Sequence, residues 1–190
     1  MSNIFFASDH HFDHANILKF FKTDGITPLR PFVDVVDMNE TLIENHNRVV
    51  GEKDVVYFLG DVAIPRRGLQ HVQRLNGRKR LIMGNHDPFV KNFCRDYQEA
   101  GFEYVEAFHK FDRFVATHIP VHSDSLSKRW FANVHGHLHD HVVRLARGVD
   151  ARTGEILYSD KPDPRYINVS VEKINYTPIS MEEILVRLPQ

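Results

Sequence analysis

The sequence predicts an α/β fold in which mixed β-sheet and helices form a single domain covering residues 1–190. In the first half of the chain, short apolar runs alternate with amphipathic stretches, a pattern typical of strand-to-helix units. In the second half, apolar runs follow one another without helical stretches between them, which indicates neighbouring strands. A length of 190 residues with 42% hydrophobic residues suffices for one well-buried core.

The first half of the chain is predicted to hold three strands and four helices. We expect the strands at 4–7, 54–59 and 80–83, and the helices at 15–21, 37–50, 69–75 and 87–101. Asp37 and Glu40 have the spacing of a capping box, which predicts where the second helix begins. Asp87 followed by Pro88 is a strong helix start, and Gly101 is a natural stop.

The second half is predicted to be mostly strands. We expect strands at 102–108, 111–117, 132–135 and 166–171, with a turn at 109–110 and a hairpin or excursion over the polar segment 144–165. Ser180 and Glu183 have capping-box spacing and predict a short C-terminal helix.

Composition and charge exclude several classes of protein. The 24 basic and 25 acidic residues leave a net charge of −1, so no global field would attract nucleic acid or an anionic membrane. Cys94 is the only cysteine, which rules out a disulfide-stapled scaffold. The N-terminal residues lack the pattern of a signal peptide or membrane span. We therefore expect a cytoplasmic protein without a membrane partner; the sequence does not indicate its oligomeric state.

Histidine is the most unusual component, because ten of the 13 histidines fall in three short stretches. Nearly every predicted strand is followed at once by a polar cluster. The clusters are Asp9-His10-His11, Gly60-Asp61, Gly84-Asn85-His86-Asp87, Thr117-His118 and His135-Gly136-His137-Leu138-His139. Ligands of open α/β sheets gather at the carboxyl ends of strands, so the five clusters are expected to meet.

Each cluster also has a simpler explanation. An Asp after a strand is usually a turn or cap residue, and a single His is usually a hydrogen-bonded structural group. His137 and His139 argue against this, since alternate residues of an extended segment point the same way and can offer two imidazoles to one site. Five strand ends that all carry suitable ligands together predict a metal site.

These motifs resemble the calcineurin-like metallophosphoesterases. The family's Asp-x-His, Gly-Asp, Gly-Asn-His-Asp/Glu, isolated His and Gly-His-x-His motifs match the five clusters in order, over residues 9 to 139. The resemblance implies a double β-sandwich of two mixed sheets flanked by helices. It also implies two metal ions, the first held by Asp9, His11, Asp61 and His139, and the second by Asp61, Asn85, His118 and His137, with Asp61 bridging them.

The expected chemistry is hydrolysis of a phosphate ester. Two metal ions roughly 3.5 to 4 Å apart can share the attacking hydroxide and clamp the substrate oxygens. Oxygen and imidazole ligands without thiolate favour Mn²⁺, with Fe, Zn²⁺ or Ni²⁺ as alternatives. His86 is assigned as the general acid for the leaving oxygen, and Asp87 either orients His86 or caps the following helix.

Residues that contact the substrate are harder to predict. Arg30 and Arg66 lie in loops near the motifs and could grip phosphate, and His14 could contact the substrate or a ligand, although exposed arginines are mostly just solvated. Lys128-Arg129-Trp130 could stack a base, although a Trp that anchors a loop is the simpler interpretation.

Three functions are compatible with the fold and motifs that the sequence predicts. The first is a phosphodiesterase or phosphomonoesterase that acts on a small, nucleotide-like phosphate ester. The second is a nuclease acting on nucleic-acid ends, which the near-zero net charge disfavours. The third is a metal-binding scaffold without catalysis, which should have lost ligands or the acid that this sequence retains.

Overall fold

Two mixed β-sheets form the centre of the protein. The computed structural model describes residues 2–87, 93–126 and 130–189. The first sheet has the strand order β11-β1-β2-β3-β4 and contains β1 (Ile4–Ala7), β2 (Val55–Phe58), β3 (Arg78–Ile82), β4 (Phe102–Glu106) and β11 (Ile179–Ser180). The second has the order β10-β7-β6-β5 and contains β5 (His109–Lys110), β6 (Phe114–Ala116), β7 (Ala132–His135) and β10 (Tyr166–Asn168).

Most neighbouring strands in both sheets are parallel. β1, β2, β3 and β4 run parallel to one another, and so do β6, β7 and β10, whereas β11 and β5 are antiparallel edge strands. Because the carboxyl ends of parallel strands lie at one edge of a sheet, the loops that follow them can meet there.

Alternating side chains along the first sheet supply two separate cores. Phe5 and Phe58 belong to a core on the helix-covered face, whereas Phe6 and Tyr57 pack against Val134 and other residues of the second sheet. This alternation is the expected result of a two-residue side-chain period in strands buried on both faces. The double sandwich of mixed sheets flanked by helices is therefore confirmed.

Among the described residues, the α-helices are α1 (Val35–Val49), α2 (Phe93–Glu99) and α3 (Met181–Arg187), and 3₁₀ helices cover Ala15–Lys19 and Arg66–Arg74, where helices were expected at 15–21 and 69–75. The predicted capping box of α3 is confirmed, since Ser180 and Glu183 bond each other's backbone N–H. The predicted start of α1 was wrong: Asp34, not Asp37, caps the helix by accepting from the N–H groups of Val36 and Asp37. The predicted Asp87-Pro88 helix start falls largely on residues 88–92, outside the described residues.

Two further expectations concern the second half of the chain. The predicted turn at His109-Lys110 was wrong, because these residues pair with β6 as the edge strand β5. The segment 144–165 does form a hairpin, of β8 (Arg144–Val149) and β9 (Ile156–Pro162), and it is largely exposed to solvent. Among the described residues, no helix is both long and apolar enough to span a membrane.

Candidate metal centre

The polar clusters that follow five parallel strands meet at one edge of the sandwich. Asp9, His11 and His139 form one group and Asp61, His118 and His137 a second, and within each group the potential ligand atoms lie within 4.8 Å of one another. The Asn85 side-chain oxygen lies 2.9 Å from His118 Nε2, beside the second group. The structure thus brings together all seven residues that were predicted to hold metal.

Asp61 lies between the two groups. Its Oδ2 atom is 3.7 Å from His11 Nε2 in the first group and 3.4 Å from His118 Nε2 in the second. The other oxygen, Oδ1, accepts a hydrogen bond from the backbone N–H of His86 at 2.8 Å. One carboxylate oxygen therefore faces both groups, as a bridging ligand requires.

The backbone at this edge takes an unusual conformation. Five of the seven residues have positive φ angles, namely Asp9 at 58°, His11 at 51°, Asp61 at 53°, His137 at 67° and His139 at 47°. Residues other than glycine rarely adopt this left-handed region, and residues held in it cluster at functional sites. This conformation turns the backbone of each loop sharply and brings these side chains close to one another.

Glycines in the motifs allow the loops to approach closely. A Cβ atom on Gly136 would lie 1.9 Å from Ser8 Oγ and 2.5 Å from Asp9 Oδ2. A Cβ atom on Gly84 would lie 2.3 Å from Asp61 Oδ1. Neither position can accept a side chain without moving a residue of the site.

The donor atoms suit a bound cation. Asp9 Oδ1 and His11 Nε2 are buried, lie 3.9 Å apart and have no hydrogen-bond partner among the described residues. Buried polar atoms nearly always have a partner, and a cation between these two would provide one. In the second group, His118 Nδ1 lies 2.7 Å from the carbonyl oxygen of Leu59, which can only accept, so Nδ1 carries the proton and Nε2 remains for metal.

The site also attracts positive charge. Burial lowers the pKa of His118, but its hydrogen bond with Asp61 and the negative charges of Asp9 and Asp61 outweigh burial and raise the pKa to about 9. For His139, burial likewise opposes the hydrogen bond and charge of Glu172, and the net effect is a raised pKa. Protons and divalent cations should therefore compete for these imidazoles.

Sequence reasoning missed Glu172, which supports the first group. Its Oε1 atom accepts from His139 Nδ1 at 3.0 Å and from Arg30 Nε at 2.7 Å. The side chains of Glu172 and Arg30 are both buried. Glu172 fixes the ring of His139 so that Nε2 faces Asp9 Oδ1 at 3.8 Å. The signal was available, because Glu172 and Ser170, which donates to Asp9 Oδ2, follow the carboxyl end of β10.

Two predicted roles need correction. Arg30 was expected to bind substrate, but it is only 1% exposed and its guanidinium donates to the carbonyls of Asp9 and His10 as well as to Glu172, so it is structural. Asp87 was expected to orient His86 or to cap the following helix, whose first residues, 88–92, lie outside the described residues. Among the described residues, its carboxylate accepts four hydrogen bonds, none of them from the His86 ring: they come from the backbone N–H groups of Asp61, Val62 and Gly84 and from the Tyr97 hydroxyl.

The other predicted contacts lie around the metal-binding groups. His86 is 41% exposed and its Nε2 lies 3.9 Å from Asp61 Oδ2. Arg66 forms an ion pair with Asp96 and lines a cavity of about 340 Å³ together with His86. His14 Nδ1 lies 3.3 Å from His11 Nδ1, so it contacts a predicted ligand directly. The functional roles of these three residues stay predictions.

Comparisons with known proteins agree with this geometry. The family model described as calcineurin-like phosphoesterase matches residues 2–180. An uncharacterized protein of Methanocaldococcus jannaschii is 37% identical over 190 residues, covering 97% of this chain and 90% of that protein. The gene 66 protein of Mycobacterium phage L5 is 31% identical over 132 residues, covering 66% of this chain and 58% of the phage protein.

A solved structure shares the fold. A protein of unknown function from Aquifex aeolicus superposes with a TM-score of 0.60 at 23% identity, covering 98% of this chain and 99% of that one. The family model spans nearly the whole chain and includes every residue of the two candidate metal-binding groups. The chain therefore belongs to the calcineurin-like phosphoesterase family.

Proposed function

We propose that this protein hydrolyses phosphate esters of small, nucleotide-like molecules with the help of two divalent cations, and that Mn²⁺ is the preferred ion. Asp9, His11, Asp61 and His139 would hold one cation, and Asp61, Asn85, His118 and His137 the other. The observation that carries the proposal is the position of Asp61 Oδ2, which faces a predicted ligand of each cation at 3.7 and 3.4 Å.

The cations would supply an ionised nucleophile at neutral pH and would neutralise charge on the phosphoryl oxygens. The protein contributes rigid positions for the ligands. Asp87 ties the Asp61 loop to Gly84 through backbone hydrogen bonds, and Glu172 fixes the orientation of His139. Such support matters because small displacements of ligands weaken both metal binding and catalysis.

His86 is proposed as the general acid that donates a proton to the leaving oxygen. It follows the predicted ligand Asn85, its backbone N–H is held by Asp61, and its partly exposed ring lies near the Asp61 carboxylate. A ring in this position can reach a group bound at the cations without being a ligand itself. Proton transfer by a positioned side chain is typically worth 10²- to 10⁴-fold in rate.

A metal-by-substrate screen tests the proposal. Metal-stripped protein would be assayed with Mn²⁺, Ni²⁺, Zn²⁺ and Mg²⁺ against monoesters and against linear and cyclic diesters. We expect hydrolysis that depends on added metal, and Asp61→Asn should lower both metal occupancy and rate. Full activity of the metal-stripped wild type would refute the proposal.

The role of His86 needs a separate comparison. His86→Ala should lower kcat by roughly 10²-fold or more on esters with a poor leaving group, and by much less on a nitrophenyl ester, whose leaving group needs no proton. His122→Ala removes an exposed histidine outside the site and serves as the matched control. Equal turnover of wild type and His86→Ala on the poor leaving group would remove His86 from the mechanism.

A salt titration separates this proposal from a nuclease. Binding of nucleic acid weakens steeply as salt displaces phosphate contacts, whereas binding of one small ester changes little. We expect only a weak dependence of KM on salt, in line with the net charge of −1.

A further inference from the structure

We propose that an apolar cavity beside the second metal-binding group binds an uncharged aromatic substituent of the substrate. This inference rests on the proposed phosphoesterase function and specifies its substrate. The cavity, which we call the Trp130 cavity, has a volume of about 480 Å³. Its wall includes Met83, Phe108, Val115, Ile119, Val121 and Trp130.

The cavity is continuous with the candidate metal centre. Two predicted ligands, Asn85 and His118, form part of its wall. A phosphoryl group bound at the cations would therefore have one ester substituent next to the cavity. The neighbouring residue His86 lines a different cavity, of about 340 Å³, so a group in the Trp130 cavity leaves the proposed acid unobstructed.

The described part of the lining favours apolar groups. No Asp, Glu, Lys or Arg is found among the described residues of the wall. The hydroxyl of Thr117 is already used, since it donates to the carbonyl of Ile119 at 2.7 Å and accepts from the Asn133 amide at 2.9 Å. Apart from Asn85, His118 and Ser125, the described wall offers a charged substituent no partner to replace its hydration, whereas an apolar ring needs none.

Exposed apolar side chains around the cavity also point to a ligand. Phe108 is 49% exposed, Ile119 52% and Met83 39%, and all three belong to the same wall. Large apolar groups that are gathered at a concave site, with a few polar groups at one end, are typical of ligand-binding pockets. The flat faces of Phe108 and Trp130 favour a planar ring, because aromatic pairs gain stability beyond that of area burial alone.

Trp130 makes the proposal directly measurable. It is the only tryptophan in the chain, so its fluorescence reports on this cavity alone. The probes would be phenylphosphonate and methylphosphonate, which cannot be hydrolysed and differ only in the substituent. With Mn²⁺-loaded protein, we expect phenylphosphonate to change the Trp130 fluorescence and to bind roughly ten-fold more tightly than methylphosphonate.

Variants test which residues provide the preference. Phe108→Ala should weaken binding of phenylphosphonate by about five-fold and leave methylphosphonate unchanged, because it removes one aromatic wall. Phe21→Ala is the matched control, since Phe21 is an exposed phenylalanine outside the cavity. Thermal unfolding of each variant would show that the fold is intact.

A second pair of probes identifies the source of the ring. A nucleoside 5′-phosphonate that binds much more tightly than the matching ribose 5-phosphonate, neither of which can be hydrolysed, assigns the cavity to a nucleobase. If it binds no more tightly while phenylphosphonate retains its advantage, the cavity belongs to a smaller aryl group.

Failure of this inference can be distinguished from failure of the proposed function. Equal affinity for phenyl- and methylphosphonate in a protein that hydrolyses esters with added metal would overturn the cavity assignment alone. Absence of metal-dependent hydrolysis of any ester would overturn the proposed function, and with it the role of the cavity in substrate selection.

Discussion

Replacing Arg30 with methionine would test how much the buried Arg30–Glu172 pair, which lies beside the candidate metal centre, stabilises the fold. The guanidinium donates to Glu172 Oε1 at 2.7 Å, to the His10 carbonyl at 2.7 Å and to the Asp9 carbonyl. Both side chains of the pair are at most 1% exposed. Methionine has a comparable length and no charge, so the substitution removes these contacts without opening a large cavity.

The expected loss of stability comes from the carboxylate of Glu172, which stays buried after the substitution. Without Arg30, the carboxylate of Glu172 remains buried with only His139 to compensate its charge, and breaking a buried pair in this way costs about 3–5 kcal/mol. Each kcal/mol lowers the Tm of a domain of this size by about 2–4 °C, so we expect a decrease of roughly 6–20 °C. Removing both charges in Arg30→Met/Glu172→Met should recover much of this loss, since no unpaired charge is then buried.

The measurement is urea unfolding of metal-free protein, followed by circular dichroism. Arg74→Met is the matched control, because Arg74 forms a two-pronged ion pair with Glu40 in which both side chains are almost half exposed. Exposed pairs contribute little, so Arg74→Met should unfold like the wild type. The reasoning would be refuted if Arg30→Met lowered the free energy of unfolding by less than about 1 kcal/mol, or if Arg30→Met and Arg74→Met lost equal stability.

Three further predictions follow from other contacts. Gly136→Ala should destabilise the protein by more than about 2 kcal/mol and weaken metal binding, since the new methyl group would overlap Ser8 Oγ. Gly51→Ala is the control, because a methyl group fits there and should change neither stability nor metal binding. Urea unfolding would measure the stability of each variant, and metal titration its affinity for the cation. Burial holds the pKa of His46 at about 4, against 6.5 when unfolded, so the stability that His46 contributes is complete above pH 6.5 and declines by up to about 3 kcal/mol as the pH falls to 4. His46→Leu should reduce that slope in urea unfolding measured across this pH range, and an unchanged slope would contradict the assignment. Mn²⁺ at about 100 times its Kd should stabilise the wild type by about 2.7 kcal/mol and Asp61→Asn much less, as a shift in thermal unfolding would show.

The sequence carried most of the information on the site because the motif residues are close to the strands that position them. A run of apolar residues predicts a strand, and a parallel strand directs the residues after its carboxyl end to a common edge. That reasoning was sufficient for Asp9, Asp61 and His118, which the structure brings together. The same reasoning, applied to the carboxyl end of β10, would also have identified Glu172.

Contacts between distant residues could not be predicted from local patterns. The sequence shows Arg30 as a loop residue, and only the fold reveals that its guanidinium donates to the Asp9 carbonyl and to Glu172, 142 residues away. Asp87 has the pattern of a helix cap, and only the fold shows that its carboxylate also accepts from the backbone N–H groups of Asp61 and Gly84. The start of α1 was missed for a local reason, because Asp34 and Asp37 can both cap and the choice depends on backbone angles.

Each metal-binding group draws its residues from both sheets. Asp9 and His11 follow β1 of the first sheet while His139 follows β7 of the second, and in the other group Asp61 follows the first sheet while His118 and His137 follow the second. A cation in either group would thus cross-link the two halves of the sandwich, and in the first group it would join Asp9 to His139, 130 positions further along the chain. Such a link closes a long loop, which restricts the unfolded chain far more than a local contact does. The sheets could then separate only if the cation is released, so opening of the sandwich would be coupled to release of the metal.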